Sequence, residues 1–157
     1  MKYNQYRFKF YLNASHSIYL KGTLGQEHPH TWEIILNTVK LKSNFIIFND
    51  IEKSIEKYLT KYQDSYLNNV EPFITLNPTL ENICEYLKNE FQKLLFENGW
   101  LLLSMEISET PTRSYIIDIS DEADYNKIFE EEDADSSDLD IMDENAKKQI
   151  ESIKESI

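Results

Sequence analysis

The three histidines of this 157-residue chain lie close together in the sequence and are its clearest candidates for chemistry. His28 and His30 form a His-x-His pair, and on a β-strand both side chains of such a pair point to the same face. His16 ends the preceding predicted strand, so it reaches the same point if the two strands pair. Three neutral imidazoles suit Zn²⁺ at about 2.0–2.1 Å, with a fourth position left for water or substrate. The alternative is that they are ordinary polar residues, since a His-x-His pair alone is a weak signal.

Two strands are predicted to carry these histidines. Apolar and polar side chains alternate over residues 6–14, which is the period of a half-buried strand, and His16 falls on the apolar parity. The second predicted strand, residues 30–41, is rich in β-branched and aromatic side chains. Two of the three glycines of the chain lie in the loop between the two strands.

Two helices are predicted to follow the strands. Asn49 is a good N-cap, with Glu52 as its capping-box partner, for a helix that ends near Gln63. The Asn-Pro-Thr sequence at residues 77–79 predicts the start of a second helix. The Asn-Gly pair at residues 98–99 supplies its end.

A second pair of strands completes the predicted domain. Residues 100–108 and 115–119 have strand character and are joined by a hairpin-like connection at residues 109–112. The element order is therefore β-β-α-α-β-β. This order predicts an α+β domain, in which a four-stranded antiparallel sheet carries both helices on one face.

The negative charge of the chain is concentrated at its C-terminal end. Residues 118–157 hold 15 of the 28 acidic side chains and 4 of the 16 basic ones, and the formal net charge is −12. This charge argues against nucleic-acid binding. No stretch reaches the roughly 18 to 20 apolar residues of a membrane helix. The single cysteine, Cys84, fits a reducing compartment, so we expect a cytoplasmic protein without membrane association.

The charge distribution divides the chain into two predicted regions. Residues 1–118 form the folded domain, and residues 119–157 form an acidic tail. The tail is too charged and too poor in apolar groups to pack, so we expect it to be largely disordered. The spacing of its last isoleucines permits a short terminal amphipathic helix, which would dock on the body or on a protein partner.

Five short segments of the chain, taken in order, form a recognisable pattern. They are residues 10–16 (FYLNASH), 28–30 (HPH), 64–68 (DSYLN), 78–82 (PTLEN) and 109–110 (ET). In order and spacing they resemble the landmarks of the 6-pyruvoyl-tetrahydropterin synthase and 6-carboxytetrahydropterin synthase family, over about residues 5–118. The resemblance implies a tunnelling fold whose subunits associate edge to edge into homotrimers, commonly stacked as homohexamers. It also implies a small-molecule pterin as the ligand.

The resemblance assigns roles to individual residues. The zinc ligands of the family correspond to His16, His28 and His30. Its pterin-anchoring glutamate corresponds to Glu109, which Thr110 follows. A carboxylate can accept two parallel hydrogen bonds from the ring N–H and exocyclic amine of a pterin. In the family, zinc acts as a Lewis acid on the substrate side chain while a cysteine thiolate, helped by an Asp-His pair, removes protons.

The chain departs from the family pattern in its proton-transfer groups. No cysteine precedes the His-x-His pair, and the Asp-His pair is reduced to Asp64-Ser65. Glu27 is a substitute general base in principle, although as the neighbour of His28 on a strand it should point to the opposite face. Cys84 lies on the apolar face of a predicted helix, where a buried thiol is usually inert. Asp64 and Glu27 are therefore the catalytic candidates.

Two functions are compatible with these residues. The first is a zinc-binding protein that acts on or binds a dihydropterin such as 7,8-dihydroneopterin triphosphate. If this protein is an enzyme, the resemblance implies a zinc-dependent carbon–oxygen lyase, but the reduced proton-transfer set puts the usual reactions in question. The alternative is a non-catalytic, zinc-stabilised oligomeric binding or assembly module of the same fold, whose acidic tail recruits a protein partner. An unrelated α+β domain whose histidines bind nothing is a third interpretation.

Overall fold

A five-stranded sheet is the main element of the computed structural model, which describes residues 4–41 and 47–122. The strands are β1 (Tyr6–His16), β2 (Tyr19–Leu20), β3 (Thr23–Leu24), β4 (His28–Lys40), β5 (Ser65–Tyr66), β6 (Trp100–Thr110) and β7 (Arg113–Asp118), and the helices are α1 (Phe48–Leu59) and α2 (Leu80–Glu97), with a 3₁₀ turn at Leu67–Asn69. The sheet order is β5-β1-β4-β6-β7, and β2 pairs with β3 separately. The four long strands are antiparallel, which confirms the predicted α+β class.

One face of the sheet carries the core and both helices. From Phe8 onwards, every second side chain of β1 is buried on this face. The cross-strand partners on β4 are apolar as well: Phe8 lies opposite Leu36, Phe10 opposite Ile34 and Leu12 opposite Trp32. Helix α2 packs against β6 and β7, and α1 packs against α2 and β1. The strict alternation along β1 therefore fixes which of its side chains face the helices, and His16 is the last of them.

The two helices begin in different ways. Helix α2 has the predicted type of cap, since the Thr79 hydroxyl accepts a hydrogen bond from the Asn82 N–H at 3.1 Å. Helix α1 begins one residue before Asn49, and its N-cap, Ile47, makes no side-chain capping bond. The predicted Asn49–Glu52 capping box is therefore wrong. Phe48, the first residue of α1, packs against the ring of Tyr6 with centroids 5.5 Å apart, and the cap preference of Asn49 is too weak to move the helix start.

The observed strands differ slightly from the four that were predicted. β5 adds a fifth strand, because residues 65 and 66 pair in parallel with residues 14 and 15. A two-residue strand shows no alternation, so its pairing leaves no pattern in the sequence. β6 also continues to Thr110, which shortens the hairpin connection to Pro111 and Thr112. Glu109 consequently lies within a strand.

The predicted acidic tail is described by the structure only at residues 119–122. Ile119 is buried, and its backbone N–H donates to the Leu103 carbonyl at 2.9 Å. The rest of the tail and its predicted terminal helix lie outside the described residues. Among the residues that are described, no helix combines the length and the apolar composition of a membrane span.

Candidate metal centre and adjoining cavities

β1 and β4 bring the three histidines together at one end of the sheet. The antiparallel register places His16 opposite His28, and Ala14 opposite His30. His16 is completely buried, because it continues the inward-facing parity of β1. One ring nitrogen from each of the three histidines lies within 4.8 Å of the other two. The juxtaposition predicted from the sequence is therefore present.

Backbone carbonyl groups fix the orientation of two of the rings. Nδ1 of His16 lies 2.8 Å from the carbonyl oxygen of Pro78, and Nδ1 of His28 lies 2.9 Å from that of Gln26. A carbonyl group only accepts hydrogen bonds, so Nδ1 carries the proton in each ring and Nε2 presents a lone pair. Metal-binding histidines are typically held by such a second contact.

The buried nitrogen atoms of this cluster lack partners. Within the described part of the chain, Nε2 of His16 and Nε2 of His30 make no hydrogen bond. An unpaired buried polar atom costs about 1–3 kcal/mol, so a bound ion is a physical explanation for both. Burial lowers the pKa of His16 and of His30, and this favours the neutral ring that binds a metal. The three histidines therefore fit a zinc ion.

Glu109 lies beside the histidine cluster at the end of β6. Its Oε2 is 3.9 Å from Nε2 of His16 and 4.0 Å from Nε2 of His30. Its Oε1 accepts a hydrogen bond from the guanidinium group of Arg113 on β7. Sequence reasoning missed Arg113. The available signal was the short turn after β6, which places Arg113 opposite Thr110.

Two cavities adjoin the histidine cluster, and His30 lines both of them. The larger has a volume of about 560 Å³, and its wall includes Glu109 and Thr110. The smaller has a volume of about 420 Å³, and its wall includes Asp64 and Ser65. Small-molecule sites usually measure about 300–1,000 Å³, so the larger cavity has room for a ligand of the size of a pterin.

Two asparagine side chains hold the backbone that follows His16. Asn68 accepts from the Ser17 N–H and donates to the Ser17 carbonyl, both at 2.8 Å. Asn77 bonds Tyr19 in the same way, at 2.9 and 3.0 Å. Each amide group thus satisfies the backbone of one residue as a neighbouring strand would. Residues 64–79 are tied in this way to the end of β1 that carries the cluster.

Comparison with known proteins assigns the fold to a family. The family model of 6-pyruvoyl tetrahydropterin synthase matches residues 5–120. The chain belongs to the 6-pyruvoyl tetrahydropterin synthase family. No curated protein matches it significantly by sequence.

Solved structures of this family share the fold at low sequence identity. The 6-pyruvoyl tetrahydropterin synthase of Caenorhabditis elegans is 17% identical, with a TM-score of 0.62 over 73% of this chain and 94% of its own. A Plasmodium vivax synthase, in which a glutamate described as a catalytic residue is replaced by alanine, is 14% identical, with a TM-score of 0.53 over 73% and 97%. An uncharacterised protein of Wolinella succinogenes is 12% identical, with a TM-score of 0.56 over 73% and 97%.

The two carboxylates that are predicted to be catalytic belong to Glu27 and Asp64, and Asp64 lines the smaller cavity together with His30. The Glu27 carboxylate accepts a hydrogen bond from the Ser15 hydroxyl at 2.6 Å. Ser15 has the outward parity of β1, so Glu27 is directed to the face opposite the cluster. Asp64 has a positive φ of 57°, and its N–H donates to the Asn13 carbonyl at 2.7 Å. Among the described residues, neither carboxylate is hydrogen-bonded to a histidine.

Cys84 does not replace the missing family cysteine. Its side chain is fully buried on α2, as the helical spacing predicted. Burial raises the pKa of the Cys84 thiol to about 12, so the thiolate is almost absent at neutral pH. The thiol therefore contributes to packing.

Proposed function

We propose that the chain binds zinc through His16, His28 and His30 and holds a dihydropterin in the larger adjoining cavity. The observation that carries this proposal is the pair of buried, unpartnered Nε2 atoms beside a cavity of about 560 Å³. A bound Zn²⁺ would supply Lewis-acid polarisation of a ligand oxygen. Family membership supports a dihydropterin such as 7,8-dihydroneopterin triphosphate as the ligand.

In this proposal, the end of β6 recognises the organic ligand. Glu109 is buried in the cavity wall, so its carboxylate would accept hydrogen bonds from the N–H groups of a pterin with little competition from water. Thr110 follows it in the same wall and offers a hydroxyl group. A planar ligand in this position would also lie against His30. The side chain of the ligand would then be close to the three histidines.

We also propose that the protein acts as a homotrimer or homohexamer. β7 is one edge of the sheet, and β5 covers only residues 14 and 15 of β1 at the other. Exposed strand edges of this kind are able to pair with another chain. The subunit mass of 18.6 kDa makes the oligomer directly measurable by light scattering, where a monomer would contradict this part of the proposal.

A non-catalytic binding or assembly module is the second candidate function. The position of Glu27 favours it, because the carboxylate accepts a hydrogen bond from Ser15 and is not bonded to a histidine among the described residues. Asp64 lines the smaller cavity, and Cys84 is buried. A relative in Plasmodium vivax has a glutamate described as catalytic, so the corresponding role for Glu27 would require its release from Ser15.

Incubation of the zinc-loaded protein with 7,8-dihydroneopterin triphosphate separates the two functions. Release of triphosphate with formation of a new pterin would identify a lyase. Binding without turnover, measured by pterin fluorescence, would support the module.

A matched pair of variants shows whether the proposed cavity is responsible. Glu109→Gln should weaken binding at least tenfold, while Glu106→Gln, which lies outside the wall of this cavity and bonds Ser114, should leave it unchanged. Absence of both turnover and Glu109-dependent binding would rule out the pterin.

A further inference from the structure

Glu109 occupies a position where the fold alone would place an apolar side chain. Met105 and Ile107 precede it on the same parity of β6, and both are fully buried. Glu109 itself is only 9% exposed. A buried carboxylate is almost always paired, yet Arg113 accounts for one of its two oxygens. The other oxygen, Oε2, is directed towards the histidines.

Oε2 of Glu109 and Nε2 of His16 face each other as two lone-pair atoms. His16 donates through Nδ1 to the Pro78 carbonyl, so its Nε2 has no proton to give. The distance between the two atoms is 3.9 Å, and the unpartnered Nε2 of His30 lies 4.0 Å from the same oxygen. Lone-pair atoms at these distances repel one another, and a cation between them would attract all three.

The distances are compatible with one shared ion. Two atoms that bind the same tetrahedral zinc at about 2.0–2.2 Å lie about 3.3–3.6 Å apart. The distances from Glu109, 3.9 and 4.0 Å, exceed this spacing by at most about 0.7 Å, which small rotations of the side chains would close. Three imidazole nitrogens and one carboxylate oxygen make up the four ligands that zinc takes in sites without an open position.

We propose that Glu109 is the fourth protein ligand of the metal ion held by the three histidines, and that Arg113 is its positioning residue. This inference rests on the metal site of the proposed function and deepens it. Arg113 binds Oε1, so that Oε2 points to the ion. The site is then closed to water and small anions until an organic ligand with N–H donors draws the carboxylate away.

Cobalt substitution tests the closed site directly. Co²⁺ is loaded into the full-length protein in place of zinc, and its visible absorption spectrum is followed while azide is added. The spectrum of the wild-type protein should not change, because no ligand position is open. The spectrum of Glu109→Gln should differ from that of the wild-type protein before azide is added, and it should change further with azide.

Zinc affinity gives an independent measure, by competition with a chromophoric chelator. Glu109→Gln should lower the affinity at least tenfold, and Arg113→Met should lower it about tenfold through the orientation of Glu109. Glu106→Gln is the matched control, since Glu106 lies on the other face of β6 and bonds Ser114. It should change neither the affinity nor the cobalt spectrum.

Each outcome separates this inference from the proposed function. If azide changes the wild-type cobalt spectrum as it changes that of Glu109→Gln, with unchanged zinc affinity, Glu109 is not a ligand, although the three-histidine site stands. If the wild-type protein binds neither zinc nor cobalt, the proposed function itself fails. If Glu109→Gln does not fold by circular dichroism, the azide titration of the wild-type protein and the affinity of Arg113→Met decide the question.

Discussion

The two ends of the sheet use the same inward-facing strand positions for different purposes. At the end where β1 and β6 begin, Trp100 meets the rings of Tyr6 and Phe8 edge to face, with centroids 5.3 and 5.2 Å apart. At the opposite end, the rings of His16 and His28 meet in the same edge-to-face manner at 4.4 Å. We call these regions the aromatic end and the histidine end.

The two ends differ in whether the packed rings leave polar atoms without a hydrogen-bond partner. Among the described residues, the side chains of the aromatic end leave no buried nitrogen or oxygen atom without a hydrogen-bond partner, so their contacts contribute to stability alone. The imidazoles of the histidine end pack equally closely, yet two of their nitrogen atoms stay unpaired. A polar atom left in this state weakens the fold, which is the expected signature of a site that a ligand completes.

Removal of a histidine should produce the largest effect, and only at its own end. His28→Ala should lower the zinc content from about one ion per chain to nearly none, because two imidazoles and a carboxylate hold zinc much less tightly. The unfolding free energy of the metal-free variant should change by less than about 1 kcal/mol, since His28 is more exposed than His16. Elemental analysis and urea denaturation measure the two quantities. Equal zinc in variant and wild type would contradict the site.

The aromatic end should show the reverse pattern. Trp100→Ala should cost about 3–5 kcal/mol of unfolding free energy, because a nearly fully buried ring is lost. The zinc content of each folded molecule should stay the same. Trp100→Phe, with a smaller loss of stability, is the control. A parallel fall in zinc would mean that the two ends do not act independently.

Alkylation of Cys84 tests whether a reactive side chain also exists outside the histidine end. With a pKa of about 12, the thiol is ionised in about one molecule in ten thousand at pH 8, against roughly a tenth of an unfolded cysteine. Alkylation by iodoacetamide should therefore be at least a thousandfold slower in the native protein than in the unfolded one, because the buried thiol must also become accessible to the reagent. Mass spectrometry with and without denaturant measures the ratio. Rapid native labelling would show an accessible thiolate.

The smallest effect is expected at Glu27, next to the metal ligands in sequence. Glu27→Gln should change zinc affinity by less than about twofold, because the side chain bonds Ser15 on the opposite face. Loss of that exposed bond should cost at most about 1 kcal/mol. A tenfold weaker zinc affinity would instead place Glu27 in the site.

Local alternation made much of the histidine end predictable from the sequence. The parity of β1 and the His-x-His spacing were enough to bring three histidines to one point, since the antiparallel register places His16 opposite His28. The burial of Cys84 followed from the helical period in the same way.

The partners of these residues could not be predicted, because each depends on backbone geometry that the sequence pattern does not report. The carbonyl that binds His16 comes from Pro78, and no sequence pattern reports where a backbone oxygen will point. Arg113 depends on a turn of only two residues, whereas the prediction had a connection of four. The Asn49 cap failed because the contact of Phe48 with Tyr6 outweighed a local preference.

The attachment of residues 64–79 to the end of β1 has a kinetic consequence. The His16 ring is held by a carbonyl of this segment, and the residues that follow are held by Asn68 and Asn77. Any local opening of the segment would therefore release a metal ligand at the same moment. That opening is observable as amide hydrogen exchange at Ser17 and Tyr19, and a bound ion should make it rarer because each opening would cost the ion one of its ligands.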